Sequence, residues 1–284
     1  MSKPMGGQEK YIDIISCIAE NFKIMKAARP LPESAVRRYR EESDILSSYC
    51  SNAIEGNTFT YDETRLLIKE GITSSSRTMR EHNDVLGHSR AFWSLYDSLK
   101  AGKIIDEEFI LKLHSDVLLH DGYAGRYRDA GVYIGNFITA AYVAPDADKV
   151  PGLIKAYVEK IGPEIRSNID GVLKSDAPGF LKLFLSLAEH HIDFERIHPF
   201  FDGNGRTGRL LLNYELLQTG LLPLNITTAD RKRYISAFSN FEDKDARSTR
   251  PESKYERMAK LLAECEVNAM EEWLKMFKNY IVRS

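Results

Sequence analysis

The 284-residue sequence is short of several features that would narrow its role at once. It has no surplus of basic charge, since 39 Lys and Arg stand against 41 Asp and Glu for a net charge of -2. A protein held to nucleic acid by its phosphates carries such a surplus, which argues against nucleic acid as a partner. It also lacks an apolar run near the roughly 18 residues that span a bilayer. The best candidate, Phe180 to Leu187, is interrupted by Lys182 and Ser186, and no membrane partner is expected. The opening MSKPMGGQEK has no apolar core of a secretory signal, so the expectation is a cytoplasmic protein. Cys17, Cys50 and Cys265 are scattered without a CxxC pair, which fits neither a disulfide framework nor a zinc ribbon. Internal repeats and low-complexity tracts are absent as well.

What is present is a globular composition, 43% hydrophobic and 28% charged, with enough chain for a real core. Arg29-Pro30-Leu31-Pro32 separates an N-terminal helix from a second one expected over Ser34 to Ile54, where Gly56 and Asn57 end it. Ile45, Tyr49 and Ala53 mark its buried stripe. Thr60 to Glu63 caps a short helix closed by Gly71, and Thr73 to Thr78 forms a loop. Helical periodicity continues over Glu81–Leu99, Ile105–Leu119, Val150–Ile161, Phe180–Phe194, Gly205–Thr219, Arg231–Phe238 and Ser253–Val282. Val132 to Phe137, with a central Gly-Asn, reads as a small hairpin. The fold class is therefore mainly α with one short β element.

The densest chemistry lies in His198-Pro199-Phe200-Phe201-Asp202-Gly203-Asn204-Gly205-Arg206-Thr207-Gly208-Arg209. Pro199 ends one helix and Leu210 to Leu217 belongs to the next, so the string is a loop running into a helix N-terminus. Such an end offers unpaired N–H groups and the positive pole of a dipole, which attract anions. Gly203 and Gly205 let the backbone wrap an oxygen cluster. Arg206 and Arg209 share a helix face and can fork onto phosphate oxygens. Asp202 is a hard oxygen ligand suited to Mg²⁺, and His198 can take a proton near neutral pH. Together they describe a nucleotide phosphate site.

This string resembles the HxFx(D/E)GNGRxxR signature of Fic-domain proteins, with every fixed position filled, and the resemblance runs from roughly Ser51 to Phe238. It implies a Fic-type helical bundle with a β-hairpin flap and transfer of AMP from ATP to a hydroxyl of a target protein. By resemblance, His198 is the base, Asp202 holds Mg²⁺, and Gly203, Asn204, Gly205, Arg206, Thr207, Gly208 and Arg209 surround the phosphates. The phosphorylating Doc-like branch typically has Lys where this chain has Gly205, which favours AMP transfer. Ser51-Asn52-Ala53-Ile54-Glu55-Gly56 resembles the family's inhibitory pattern (S/T)xxxE(G/N), with Glu55 pairing Arg209 in cis and Ser51 beside it. In some relatives the same glutamate also supports AMP removal.

The resemblance further implies that Val132, Tyr133, Ile134 and Gly135 line the nucleotide, with Ile134 and Phe137 clamping the target. The target segment would add as a strand to a flap over residues 132–144; a hairpin that merely covers the core is the alternative. Tyr234 and Ile235 resemble an adenine-side wall, though such a pair is also ordinary core. The implied division is residues 1–75 as N-terminal helices with the inhibitory helix, 76–240 as catalytic core and 241–284 as a C-terminal helical extension packed on it. Self-modification is a further implied outcome, and oligomeric state stays open. Competing readings are a Fic-like binding or antitoxin-like module without catalysis, a Doc-type phosphotransferase, and a metal hydrolase built on His190 and His191. The last lacks HExxH and a third ligand at a familiar spacing.

Overall fold

Helix boundaries follow the punctuation in the sequence, with informative departures. The computed structural model describes residues 7–73, 76–119, 121–135, 140–174, 176–238 and 251–281. Its elements are α1 (Gly7–Ala27), α2 (Glu33–Ile54), α3 (Tyr61–Glu70), α4 (Met79–Lys100), α5 (Glu107–Val117), β1 (Tyr133–Gly135), β2 (Ala140–Val143), a 3₁₀ turn (Ala147–Lys149), α6 (Val150–Leu173), α7 (Ala177–Ile197), α8 (Asn204–Thr219), α9 (Arg231–Phe238), α10 (Pro251–Met276) and α11 (Lys278–Ile281). The fold is thus mainly α, as expected. Phe137, the tip of the hairpin, part of the loop at 73–78 and Val282 lie outside the described residues.

Capping explains most starts. Thr60 and Glu63 form a reciprocal capping box on α3, and Gly71 closes that helix at φ 66°. Thr78 and Glu81 form a second box, which starts α4 at Met79 rather than at Glu81. Helix α6 runs past the Gly162-Pro163 pair that marks an end in sequence. An interior proline costs about 3 kcal/mol, but Ile161, Ile165, Asn168 and Val172 continue one buried face through it. At about 1.5–3 kcal/mol for each large aliphatic side chain, that burial outweighs the lost bond. The expected C-terminal helix is interrupted at Phe277, which is buried and lies 4.6 Å ring to ring from Trp273.

Spatial proximity divides the chain into two compact units. One comprises residues 1–43, 166–189 and 215–284. There α1 packs on α10, with Ile15, Ile18, Phe22 and Met25 buried on one and Met258, Leu262, Cys265, Met270 and Trp273 on the other. Phe22 also meets Phe180 edge-on at 5.4 Å. The amphipathic stripe read in the C-terminal segment is consumed by this packing. In the same unit Tyr234 is buried, edge-on to Phe238 at 5.2 Å, whereas Ile235 is half exposed.

The other unit comprises residues 44–165 and 190–214. Helices α4 and α5 cross so closely that a Cβ on Gly87 would collide with the carbonyl of Val117. Phe59, Leu67 and Val85 join α3 to α4. Strands β1 and β2 pair antiparallel, with Tyr133 opposite Val143, Ile134 opposite Tyr142 and Gly135 opposite Ala140, and an irregularity between Ile134 and Gly135. Within this unit the buried face of α2 is not the apolar stripe expected. Ile45, Cys50 and Ile54 are buried, but Tyr49 and Ala53 are only partly so, and Asp44, Ser47, Ser48, Ser51 and Asn52 are buried alongside them. Three of these polar groups are met by α4: Asp44 accepts from Ser89 Oγ at 2.7 Å and Trp93 Nε1 at 2.8 Å, Ser48 Oγ lies 3.0 Å from His88 Nδ1, and Asn52 donates to the Asp84 carbonyl at 3.3 Å.

Candidate active site

The loop between α7 and α8 is folded by its own side chains. Asn204 closes it, accepting the Phe200 N–H at 2.9 Å and donating to the Phe200 carbonyl at 2.8 Å. Its amide is therefore occupied by the loop, and an arriving anion would meet backbone N–H groups at the start of α8. His114 of α5 braces the turn from below. Its ring stacks on Phe200 at 3.5 Å, Nδ1 accepts from Gly125 N–H at 3.0 Å, and Nε2–H donates to the Asp202 carbonyl at 3.0 Å. Burial pushes the His114 pKa down to about 4, so it works as a neutral strut. Gly203, at φ 76°, takes the left-handed turn that directs the chain into α8.

His198 sits at the last turn of α7 with φ 48°, an uncommon conformation for a side-chain-bearing residue. Its Nδ1 lies 3.3 Å from the Glu195 carbonyl, which only accepts, so Nδ1 carries the proton and Nε2 keeps its lone pair. Burial, assisted by Arg128, lowers the imidazole pKa, opposed by the Glu195 carbonyl, Glu55 and Asp202. The ring is thus neutral and basic at neutral pH. Asp202 is more open, 43% exposed at its side chain, and bonds Arg80 at 2.7 Å and Arg206 at 3.2 Å. Burial alone would raise its carboxyl, but Arg206, the Gly203 N–H and Arg80 outweigh that and hold it below the usual range.

The two motif arginines point inward and are nearly enclosed. Arg206 pairs with Asp84 of α4 as well as Asp202, and its Nε has no hydrogen-bond partner among the described residues. Arg209 donates through Nε to Ser51 Oγ and through Nη2 to the Ser51 carbonyl, both at 2.9 Å, and reaches Glu55 Oε1 at 2.8 Å. Glu55 is aimed there by the end of α2. Asn57 N–H returns to the Asn52 carbonyl and Gly56 N–H to that of Ala53, with Gly56 left-handed at φ 94°. This Schellman arrangement fixes Glu55 as the C-cap residue. Its carboxylate rests on the first turn of α8, where a Cβ on Gly205 would strike Oε1 and come within 3.0 Å of Arg209 Nη1. An anionic group already lies in the anion cradle.

His198, Asp202, Gly203, Asn204, Gly205, Arg206, Arg209, Ser51 and Glu55 therefore come together within one unit. Thr207 and Gly208 face the interior: Thr207 is fully buried and a Cβ on Gly208 would collide with Glu195. The backbone of Val132 to Gly135 forms β1 and its approach, and Ala144 N–H closes the hairpin on the Val132 carbonyl at 3.2 Å. Tyr234 and Ile235 belong to the other unit. His190 pairs with Glu164 at 2.9 Å, and burial pushes His191 down to about 3 beside Arg209.

Sequence reading missed a second layer. Arg80, Asp84 and His88 lie at i, i+4 and i+8 on α4: Arg80 meets Asp202, Asp84 meets Arg206, and His88 bonds Ser48 at 3.0 Å. Their regular spacing on an otherwise apolar-faced helix was the available signal. Glu195 was also missed; its Oε1 is enclosed without a hydrogen-bond partner among the described residues, and burial pushes the carboxyl up to about 8 against the pull of Arg209.

The residues present suit a polyphosphate with a hard cation. The cradle is already shaped around a carboxylate, the glycine leaves the space a Cβ would fill, and Asp202 offers exposed oxygen beside it. Geometry alone thus defines a helical protein with a loop and helix start that hold the Glu55 carboxylate, and a neutral imidazole beside them. Residues 104–216 match the sequence profile of the Fic/DOC family, so the chain carries a Fic/DOC domain over that stretch.

Among its relatives, protein adenylyltransferase fic-1 of Caenorhabditis elegans is 33% identical over 208 residues, 72% of this chain and 38% of that protein. Protein adenylyltransferase Fic of Nematostella vectensis is 30% identical over 221 residues, 77% of this chain and 48% of that protein. The chain thus spans less than half the length of these relatives. Among solved structures, a Fic-domain signalling protein from Bacteroides thetaiotaomicron aligns with a TM-score of 0.77 at 22% identity, over 93% of this chain and 97% of that one. Fic-1 of Caenorhabditis elegans (residues 134–508 of that protein) aligns at 0.72 and 25% identity, over 94% and 73%. No described helix is long and apolar enough to cross a membrane.

Proposed function

We propose that this protein transfers AMP from ATP to a hydroxyl side chain of a protein, with Mg²⁺ at Asp202, and that Glu55 restrains the reaction in cis. The observation that carries the reading is the Glu55 carboxylate seated on the first turn of α8 and bonded to Arg209 at 2.8 Å. A loop built for phosphate would be plugged in this way by a mimic of its own ligand. The names of the curated relatives favour adenylyl transfer over other phosphate chemistry.

Each residue then has a task. His198 Nε2 takes the proton from the attacking hydroxyl, its tautomer set by the Glu195 carbonyl. N–H groups of the first turn of α8 hold phosphate oxygens in line for attack, and Arg206 and Arg209 neutralise the charge that develops on the departing pyrophosphate. When bound at Asp202, Mg²⁺ would supply Lewis-acid stabilisation of the phosphate oxygens. The flap over residues 132–144 would receive the target segment by strand addition, since a two-stranded ladder leaves an outer edge free to pair. With Glu55 seated, Arg209 is engaged and the end of the triphosphate is displaced. Three free thiols are consistent with a reducing, cytoplasmic setting.

The test is intact mass after incubation of wild type and Glu55→Gly with Mg²⁺ and ATP. Gain of one AMP unit, much faster in Glu55→Gly and abolished by adding His198→Ala, is expected. Gain of one phosphate would replace the reading with kinase chemistry. No gain in either protein, with ATP still bound, would leave a binding module.

A further inference from the structure

Arg128 is the most enclosed cation in its unit that contacts no carboxylate within hydrogen-bond distance among the described residues, being 2% exposed and bonded to backbone carbonyls. Its Nε donates to the His198 carbonyl at 2.8 Å, Nη1 to Ala130 at 3.0 Å, and Nη2 to Pro145 at 2.5 Å and Ile197 at 3.5 Å. Its own N–H donates to the Pro199 carbonyl at 3.0 Å. The successive carbonyls of Ile197 and His198, and those of Ala130 and Pro145 on either side of the hairpin, therefore converge on one guanidinium, while the backbone N–H of the same residue holds the carbonyl of Pro199. Burying a guanidinium is costly unless its donors are satisfied, and a single hydrogen bond would be met as well by a smaller neutral donor. The planar fork of arginine is what reaches carbonyls on two sides at once.

We infer that Arg128 is a positioning residue which holds the strained His198 and the base of the flap in one register, so that a hydroxyl delivered by the flap arrives at Nε2. The inference rests on the proposed transfer reaction and assigns to it a residue outside the signature motif. His198 keeps φ 48° while its carbonyl is held by Arg128 and its N–H by the Phe194 carbonyl at 3.1 Å. Release of the carbonyl lets the backbone relax toward an ordinary conformation and swings the ring. The hairpin is then fastened only to the last turn of α7 by Tyr142 Oη, which donates to the Arg196 carbonyl at 2.9 Å. Arg128 also faces the imidazole as a positive charge, together with Glu55, Asp202 and the Glu195 carbonyl.

The experiment uses the full chain carrying Glu55→Gly, with Arg128→Lys and Arg128→Met added singly, folding being checked by thermal melts. Pyrophosphate release with Mg²⁺ and ATP gives the maximal rate and the ATP concentration for half-maximal rate. NMR titration of the His198 ring is recorded in parallel and needs no activity. Misplacement of a reacting group by about 1 Å costs on the order of 100-fold. Arg128→Lys should therefore lose roughly that factor in maximal rate, with half-saturation by ATP within about two-fold. Arg128→Met should lose as much and also titrate His198 at higher pH, because a nearby positive charge is gone. Either variant retaining its rate within about two-fold, or an unmoved His198 titration in Arg128→Met, overturns the inference. A parent that releases no pyrophosphate refutes the transfer reading, and the titration still decides whether Arg128 acts on His198.

Discussion

Replacing Glu55 by Gln keeps the shape of the side chain and one acceptor oxygen but removes the charge that occupies the phosphate cradle. The energetic effect can be bracketed from the pair it breaks. Arg209 is 6% exposed at its side chain and Glu55 45% exposed. Fully exposed pairs are worth about 0.2–1 kcal/mol, and breaking a fully buried one costs about 3–5 kcal/mol. A pair with one buried member falls between, at about 1–2 kcal/mol. Arg209 does not collapse when the charge goes, because Ser51 still accepts from it twice at 2.9 Å. The arginine is left poised for an anion.

On the proposed function, the terminal phosphate of ATP reaches Arg209 only by displacing the carboxylate in the wild type, and only a neutral amide in Glu55→Gln. The same 1–2 kcal/mol therefore reappears as tighter binding, roughly 5- to 30-fold in Kd. Without ligand, the variant loses about that much stability, since Arg209 keeps a weaker partner. Isothermal titration with Mg²⁺ and ATP measures the first quantity and urea unfolding the second. The two should move in opposite directions: a less stable free protein that binds ATP more tightly. Equal Kd values for wild type and variant would refute the claim that Glu55 occupies the site of a phosphate.

The proton inventory and the tightest packing give three further expectations. Because burial lowers the His198 pKa, the base form survives below the usual imidazole range. The transfer rate should be flat through neutral pH and fall only as pH drops below about 6.5, as a pH–rate profile of Glu55→Gly will show; a midpoint above 7 would refute it. Glu266 is fully buried, its Oε1 accepting the Leu222 N–H at 3.1 Å while Oε2 has no hydrogen-bond partner among the described residues, and burial raises its carboxyl to about 8. Its raised folded pKa makes it stabilising at low pH and costly as pH rises through about 8. Glu266→Gln should therefore gain stability over wild type at pH 8.5, on the order of 1–3 kcal/mol in urea melts, and gain little at pH 5. Gly87→Ala would drive a methyl into the backbone carbonyl of Val117, which cannot rotate aside, so it should lose about 3 kcal/mol or more; a loss below about 1 kcal/mol would mean that α4 and α5 separate freely.

How much of this was legible depends on whether a residue acts through its neighbours in sequence or across the fold. Helix existence was readable because caps and periodicity are local, as Thr60, Glu63 and Gly71 illustrate on α3. The loop from His198 to Arg209 was readable because its N–H groups, glycines and arginines belong to one turn and the helix after it. Its closure by Asn204 was not, since an amide in such a loop serves phosphate or backbone equally well until its partners are seen. Helix α2 misled for a related reason. Ile45, Tyr49 and Ala53 form the right period, but Asp44, Ser48, Ser51 and Glu55 share a similar one, and only the donors on α4 and α8 decide which face is buried.

That choice has a mechanical consequence. A segment buried through satisfied polar groups gains little from the hydrophobic effect, so its release into water costs less than release of an apolar face would, each hydrogen bond being worth only about 0.5–1.5 kcal/mol net. A wholly apolar α2 would hold Glu55 over the cradle more tightly than this mixed face, where Ile45, Cys50 and Ile54 are buried among polar groups. The mixed face lets the helix end that carries Glu55 be displaced while α4 keeps Asp84 against Arg206. The Glu55–Arg209 contact and the ease of removing it are thus written in the same residues, and neither can be read from α2 without its partners.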